Sequence, residues 1–330
     1  MARLSPALPY AALAAAACAS FAAAGQSADK PYPSKPVQWI VPFAAGSGVD
    51  TEARVLADKV SKILGQAVVV ENKAGAGGTI GVAQAARSPA DGYTVVSGTN
   101  GTHGVASVLY GSNLGYDPIR DFAPITAVSV APFVVLVNGD SRWKTIQELM
   151  ADIKAHPGKF TYASGGNGTL SHIGAQMVLT ATGTDMSHIP YRGTGPARVD
   201  LLAGRVDVMV DSLTNTVPLM EAGKLRGLAA LTPSARSFTP DLPTLEAVGV
   251  KGFEVSGWHV LLAPAGTPRA AIDRLNAAFR EAMKDPLLSK NLASKGLQPT
   301  PTTPEELAAF MKVEVPKWEE AARKSGARVE

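Results

Sequence analysis

The sequence predicts an α/β fold in which helices flank a mainly parallel sheet. Short runs of β-branched and other apolar residues alternate with amphipathic helical stretches from Val37 onward, and the connecting loops are rich in glycine. This alternation is typical of βαβ units, in which a helix joins two parallel strands. The pattern runs from Val37 to Gly101 and restarts at Phe133, which indicates two lobes of similar organisation.

The first repeat opens with a strand at 37–41 and a helix at 50–64. Leu56 and Val60 share one stripe of that helix with other apolar residues, as expected for a helix that packs on a sheet. Asp50 stands where an N-cap is expected, because a short polar side chain can accept a hydrogen bond from a first-turn amide. Two more strands and a helix complete the repeat, at 68–71, 93–97 and 81–87.

The second repeat and the remainder of the chain follow the same pattern. Strands are predicted at 133–137, 160–163, 206–210, 226–231 and 258–262, and helices at 146–155, 170–181, 196–203, 269–283, 286–294 and 304–324. Because strand and helix return after the second repeat, we expect the carboxyl-terminal part to pack on the first lobe. The chain would then cross between the lobes near 122–128 and 248–256.

The first 24 residues have the features of a signal peptide. Arg3 precedes an Ala- and Leu-rich stretch at 8–23, and small residues lie where a signal peptidase would cut, near Ala24. Export is therefore expected. Cys18, the only cysteine, lies in this segment, so the mature chain would contain neither a disulfide nor a thiol. Acylation of Cys18 in a lipoprotein is the alternative, although the residues before it lack the leucine of a lipobox.

Composition and motif searches argue against several functional classes. The net charge is only +3 and basic residues are scattered, so nucleic acid is not an expected partner. The sequence has no GxxxxGK[ST], no GxSxG and no complete GxGxxG, since Ile80 replaces the third glycine. The five histidines never occur as HxH or HxxxH, which gives no metal-ligand pattern. No enzymatic activity, cofactor or metal is therefore expected.

Three loops, at 42–50, 98–103 and 163–169, are the candidate binding elements. Each follows a predicted strand at its carboxyl end, where ligands collect in open α/β sheets. The first and third lead directly into helices, whose amino termini offer unpaired N–H groups to an anion. Glycine permits close backbone approach, and Ser, Thr and Asn add neutral donors. The alternative is that these glycines only form tight turns.

Four further residues are individual candidates. His103 lies in the second loop and could donate to a carboxylate, or be solvated like many loop histidines. Asp211 follows a predicted strand and suits either a ligand hydroxyl or amino group or a cap on the next helix. Tyr191 and Arg192 follow another strand end, where Arg192 could pair with a carboxylate or simply lie on the surface.

Motifs along the whole mature chain resemble one known family, the solute-binding receptors of tripartite tricarboxylate transporters, also called Bug proteins. The similar segments occur in family order: VPF (41–43), GSGVD (46–50), VENK (70–73), GAGG (75–78), ADGY (90–93), DFAPI (121–125), YAS (162–164), HIPY (188–191), GRVD (204–207) and APAGTP (263–268).

The resemblance implies a type II periplasmic binding protein, a two-lobed clamshell whose lobes each contain a mainly parallel sheet flanked by helices. Lobe 1 would comprise 29–126 plus 250–330, and lobe 2 would comprise 127–249. The cleft would close on a small organic carboxylate held by backbone N–H groups and waters. The protein would be a periplasmic monomer that delivers its ligand to membrane permease subunits.

The resemblance also implies a set of ligand-binding residues. The first-lobe loop would contribute Phe43, Ala44, Ser47 and Asp50, and the opposing loop would contribute Ser164, Gly166 and Thr169. Specificity would be tuned by Thr99, His103, Tyr191 and Asp211. The family usually has two adjacent glycines and often a threonine in the first loop, where this chain has Ser47 and Val49. No particular acid is therefore carried over.

Two other functions remain open at this point. The same clamshell could be a ligand sensor that reports to a signalling partner, and the sequence does not separate that role from transport. A periplasmic hydrolase would need a nucleophile, a base and an orienting group within reach of one another. The sequence shows no such set.

Overall fold

The computed structural model describes residues 31–214, 216–250 and 255–325. The predicted signal peptide, with Cys18, lies outside these residues. The strands are β1 Val37–Val41, β2 Val68–Asn72, β3 Thr94–Thr99, β4 Phe122–Asn138, β5 Thr161–Ser164, β6 Ser187–Pro190, β7 Val208–Ser212, β8 Leu225–Ala230, β9 Ser256–Pro264 and β10 Gln298–Pro299.

Helices connect and cover these strands. They are α1 Gly48–Leu64, α2 Thr79–Ala86, α3 Ala106–Tyr110, α4 Ile146–Ala155, α5 Leu170–Thr182, α6 Thr194–Leu202, α7 Val217–Glu221, α8 Arg269–Met283, α9 Pro286–Ala293 and α10 Pro304–Ser325. None of these helices is long and apolar enough to cross a membrane.

The sheet is divided into two parts that share β4. In the first part β2, β1 and β3 are parallel neighbours, and β9 pairs antiparallel with β3 and with the first half of β4. In the second part β6, β5 and β7 are parallel neighbours, and β7 and β8 pair antiparallel with the second half of β4. We call the structure built on the first part lobe I and that built on the second part lobe II.

Each lobe has an apolar core between its sheet and its helices. In lobe I, Trp39 of β1 is buried against Phe279 of α8, with ring centroids 5.2 Å apart in an edge-to-face arrangement. The indole N–H of Trp39 donates to Ser97 Oγ at 2.9 Å, so this large ring is buried without an unsatisfied donor. In lobe II, Tyr162 of β5 and Ile173 of α5 are similarly buried.

The predicted fold class is confirmed, with several local differences, of which two bear on the site. Helix α1 begins before Asp50, because Ser47 is the N-cap: its backbone is extended and its Oγ accepts the Asp50 N–H at 3.3 Å. Strand β4 is much longer than the predicted 133–137. The predicted lobe boundaries at 126/127 and 249/250 stay a prediction; the predicted crossing at 122–128 lies within β4, and part of the one at 248–256 lies outside the described residues.

Candidate functional site

A cavity of about 60 Å³ lies between the lobes at the carboxyl ends of β1, β3, β5 and β7. Lobe I contributes Phe43, Ser47, Gly48, Val49, Thr99, Asn100, Gly257 and His259, and lobe II contributes Phe133, Gly165, Thr169, Leu170, Ser171, Thr194, Asp211 and Ser212.

The amino terminus of α1 forms one wall of the cavity. Asp50 lies behind this terminus and shapes it: its carboxylate accepts the Gly46 N–H at 2.9 Å, Asn72 Nδ2 at 2.8 Å and Arg54 Nε at 3.0 Å. Gly48 and Val49, the first two helical residues, line the cavity. Because first-turn amides have no partner within a helix, these N–H groups are available to a ligand.

The amino terminus of α5 forms the opposite wall. Thr169 is the N-cap, and its Oγ1 donates to the Gly166 carbonyl at 2.7 Å. The Gly165 N–H donates to Ser171 Oγ at 2.8 Å. These two bonds fold the glycine loop back on the helix, so the first helical residues, Leu170 and Ser171, face the cavity.

A third helix, α6, also begins at the cavity. Its first residue, Thr194, lines the space and follows Gly193, whose φ of 129° is readily adopted only by glycine. Three helix amino termini therefore converge on one small volume. Each carries a partial positive charge from the helix dipole, so together they favour a bound anion.

Asp211 is the acidic member of the cavity wall and is neutralised by lobe II itself. Both groups are buried, and the Arg198 guanidinium donates Nη2 at 2.8 Å and Nε at 3.2 Å to Asp211 Oδ2. Burial raises the pKa of Asp211, and Arg198 opposes the rise. Asp211 lies within β7, and the N-cap of the next described helix, α7, is Thr216, so the capping role predicted as an alternative does not apply.

His259 is the only other titratable side chain among the residues that line this cavity. It lies on β9, and its Nδ1 is 2.6 Å from Oε2 of Glu52 on α1. Both side chains are almost fully buried. Among the lining residues, then, no lysine or arginine is present, and attraction for an anion comes chiefly from backbone amides.

The structure brings five of the predicted site residues together around the cavity: Phe43, Ser47, Thr99, Thr169 and Asp211. Asp50 and Ser164 lie just behind it. Ser164 Oγ is 2.6 Å from His188 Nε2 and also accepts the Gly166 N–H at 3.1 Å, so it stabilises the third loop.

Three other predicted residues lie where the lobes meet outside the cavity. The Ala44 N–H donates to the Arg192 carbonyl at 3.2 Å, which joins lobe I to lobe II. Gly166 and Tyr191 line an open recess at the cleft mouth, together with Arg192. The Tyr191 hydroxyl donates to Asp200 Oδ2 at 2.6 Å and is not directed at the cavity.

His103 is buried in lobe I rather than placed in the cavity wall. Its Nδ1 lies 2.9 Å from Thr102 Oγ1, and its Nε2 has no hydrogen-bond partner within the part of the chain that the structure describes. Its ring packs edge-on against Phe122 at 5.0 Å. Burial lowers the pKa of His103 to about 3, so it is neutral and does not supply a positive charge.

Sequence reasoning missed several cavity residues. Asn100, Gly165, Leu170 and Ser171 lie in or beside the predicted loops, and the loop positions were a sufficient signal for them. Thr194 was missed because the start of α6 was placed at Pro196. His259 lies inside a strand predicted from apolar pattern alone, and its partner Glu52 is 207 positions away, so no local pattern connects them. The described residues contain no cluster of three or more His, Cys, Asp or Glu suited to a metal ion.

Comparison with protein families decides the identity. The model of the tripartite tricarboxylate transporter family receptor matches residues 52–326. The chain belongs to this family. Its members are periplasmic solute-binding receptors and not enzymes, which confirms the predicted receptor family and the expectation that this chain is not an enzyme.

Individual family members are similar over most of their length. Protein BugT of Bordetella pertussis is 34% identical over 307 residues, covering 93% of this chain and 94% of BugT. The structure of the periplasmic binding protein BugD has a TM-score of 0.85 and 39% identity, covering 91% of this chain and 100% of BugD.

Two solved structures of similar receptors contain a ligand. MatC from Rhodopseudomonas palustris, with bound malate, has a TM-score of 0.83 and 32% identity, covering 88% of this chain and 100% of MatC. R. palustris Rpa4515, with adipate, has a TM-score of 0.86 and 31% identity, covering 90% of this chain and 100% of that chain.

Proposed function

We propose that this receptor captures a small organic carboxylate in the interlobe cavity and delivers it to membrane permease subunits of a tripartite transporter. The observation that carries the proposal is the convergence of the amino termini of α1, α5 and α6 on one cavity. A carboxylate there accepts hydrogen bonds from amides that otherwise lack partners, and it gains from three helix dipoles.

The surrounding charges agree with an anionic ligand. Asp211, which would repel a carboxylate, is paired with buried Arg198, and similar receptors hold malate and adipate.

We further propose a periplasmic monomer whose signal peptide is removed near Ala24. Lobe 1 would span 29–126 plus 250–330, and lobe 2 would span 127–249.

A thermal-shift screen of residues 25–330 tests the ligand class. The panel contains monocarboxylates, dicarboxylates, tricarboxylates, amino acids and aromatic acids, with diamines of matched length as controls. A ligand that binds only the native state at a hundred times its Kd stabilises it by about 2.7 kcal/mol. We expect at least one acid, and no diamine, to raise the melting temperature. A folded protein that responds to none of the acids would contradict the proposal.

Delivery to a permease is tested separately in cells. Deletion of the chromosomal gene should abolish uptake of the radiolabelled acid found in the screen, and expression of the full chain should restore it. Uptake that is unaffected by the deletion, together with a changed transcriptional response to the acid, would support a sensor instead.

A further inference from the structure

His259 occupies a distinctive position on the cavity wall. It faces the space from β9, in register with Thr99 of β3 and Ser129 of β4, which flank it in the sheet. Its Nδ1 is held by Glu52 at 2.6 Å. Since Nδ1 is already bonded, Nε2 is the ring nitrogen left for a ligand.

The charge of the buried Glu52–His259 pair determines whether Nε2 carries a hydrogen. Only 3% of the Glu52 side chain is exposed, and its Oε1 has no hydrogen-bond partner in the described ranges. With a neutral histidine, an ionised Glu52 would place an uncompensated buried charge beside a bound anion, which is costly. One proton on the pair removes that charge. Whether the proton lies on Glu52 or on the imidazole, Nε2 then carries a hydrogen and acts as a donor.

Other charged groups around the cavity do not compensate the charge of Glu52. Asp211 and Arg198 neutralise each other across two hydrogen bonds. The neighbours of His259 in the sheet, Thr99 and Ser129, are uncharged, and the Oγ of buried Ser129 has no partner among the described residues. His259, paired with Glu52, is thus the only titratable side chain among the lobe I residues that line the cavity.

We propose that His259, positioned by Glu52, determines specificity by selecting acids with a second oxygen acceptor remote from the first carboxylate. The inference rests on the proposed function: one carboxylate lies at the helix termini, and the second group accepts the Nε2 hydrogen. An acid that ends in a methyl group would leave this buried donor without a partner, which is unfavourable. Glu52 acts through His259 and is a positioning residue.

Calorimetric titration of the mature chain with matched acids tests the proposal. The probes are α,ω-dicarboxylates from malonate to suberate, each compared with the monocarboxylate of the same chain length. For the best chain length we expect the dicarboxylate to bind the wild type about tenfold more tightly or better. His259→Phe should remove that preference, so that the dicarboxylate and the monocarboxylate of the same length bind within about twofold of each other. His156→Phe, at an exposed histidine far from the cavity lining, is the matched control.

Glu52→Gln separates positioning from a structural role. It keeps a hydrogen-bonding group beside Nδ1 but removes the carboxylate, so the shared proton is lost. The dicarboxylate preference should therefore be smaller in Glu52→Gln than in the wild type, although a hydrogen-bonding group still lies beside Nδ1. With dicarboxylate bound, the ¹⁵N NMR signals of the His259 ring should show a hydrogen on Nε2 in the wild type, and a ring without that hydrogen would overturn the inference.

The possible outcomes are distinguishable. If acids bind and His259→Phe retains the wild-type preference, the proposed role of His259 is wrong while the receptor function stands. If no acid binds any variant, both proposals are wrong. If His259→Phe does not fold, His259→Gln replaces it: its amide can still donate, so we expect a reduced preference, and a preference equal to that of the wild type would overturn the inference.

Discussion

A β-carbon at Gly77 would overlap the carbonyl oxygen of Asn167, so the two lobes meet here backbone against backbone. Gly77 lies in the turn before α2 in lobe I, and Asn167 lies in the glycine loop before α5 in lobe II. Gly101 similarly approaches the Gly168 carbonyl. Closure over the cavity thus depends on glycine at positions where no side chain can be accommodated.

Replacing Gly77 with alanine should therefore hinder closure. Gly65 is a suitable control, because both glycines have φ values in the left-handed region, 64° and 72°, and a β-carbon at Gly65 would meet nothing within 4 Å. Each alanine should cost about 1 kcal/mol of stability through backbone strain. Only Gly77→Ala should also weaken acid binding, by about tenfold or more, measured by calorimetry. Equal affinities in the two variants would mean that the lobes do not meet here when ligand is bound.

The buried pair of Arg198 and Asp211 should be essential to the stability of lobe II. Asp211→Asn leaves the Arg198 guanidinium buried without its counter-charge, and removing one partner of a buried pair costs about 3 kcal/mol or more. Urea denaturation of the ligand-free protein measures this loss. Asp58→Asn is the control, because the Asp58–Lys62 pair is exposed and should contribute little. A similar small effect at both sites would contradict the structural role of the buried pair.

Two stacked histidines should make the protein sensitive to acid. The His172 and His188 rings lie parallel with centroids 4.1 Å apart. Burial lowers the pKa of His172 to about 4 and that of His188 to about 3, and His172 contributes further to the second shift. Histidine in the unfolded state has a pKa of about 6.5, so below that pH the unfolded state binds more protons than the native state. Stability should consequently fall as pH decreases from about 6.5 toward about 4.

Thermal unfolding across this pH range measures that effect. His188→Gln should reduce the dependence of the melting temperature on pH, while His156→Gln, at an exposed ring, should leave most of it unchanged. His172 Nδ1 accepts the Gly168 N–H at 3.0 Å. A ring protonated at Nδ1 cannot accept this bond, which holds the third loop at the cavity, so acid should also weaken ligand binding. A pH dependence that is identical in wild type and His188→Gln would show that the stack is not responsible.

The N-cap of α1 should contribute to both stability and binding. Ser47→Ala removes the oxygen that accepts the Asp50 N–H and should cost about 1 kcal/mol. Thr145→Ala removes the equivalent cap of α4, where Thr145 Oγ1 accepts the Glu148 N–H at 3.2 Å, and should cost a similar amount. Only Ser47 lines the cavity, so only Ser47→Ala should change the Kd of the acid. Unchanged acid binding would remove Ser47 from the site.

Regular elements were predictable where apolar periodicity and end signals agree. The bounds of β1, α4 and α8 match their predictions residue for residue, and α4 has a complete capping box at Thr145. Strand β4 was predicted too short because Pro124 and Pro132 interrupt its pattern. Both prolines lie in the strand, opposite Leu262 and Ser256 of β9, and the register shifts after Pro124. Proline normally indicates a strand edge or bulge, and only the pairing with β9 reveals the continuous strand.

The candidate site was predictable to the extent that glycine loops follow strands. That rule places Ser47, Thr99 and Thr169 at the cavity. It could not show that Asp50 and His103 face away from the cavity, since both lie in the correct loops and only side-chain packing separates them. The contact between Glu52 and His259 depends on α1 packing beside β9, a tertiary arrangement without a local sequence signal.

Strand β4 has a mechanical consequence. Its seventeen residues form one strand, whose first half is hydrogen-bonded to β9 and whose second half is hydrogen-bonded to β7 and β8. A strand shared in this way cannot shift along its length without breaking backbone hydrogen bonds in one part of the sheet. Bending or twisting of β4 between its two halves breaks neither ladder, so we expect the lobes to rotate about this strand and not to slide over one another.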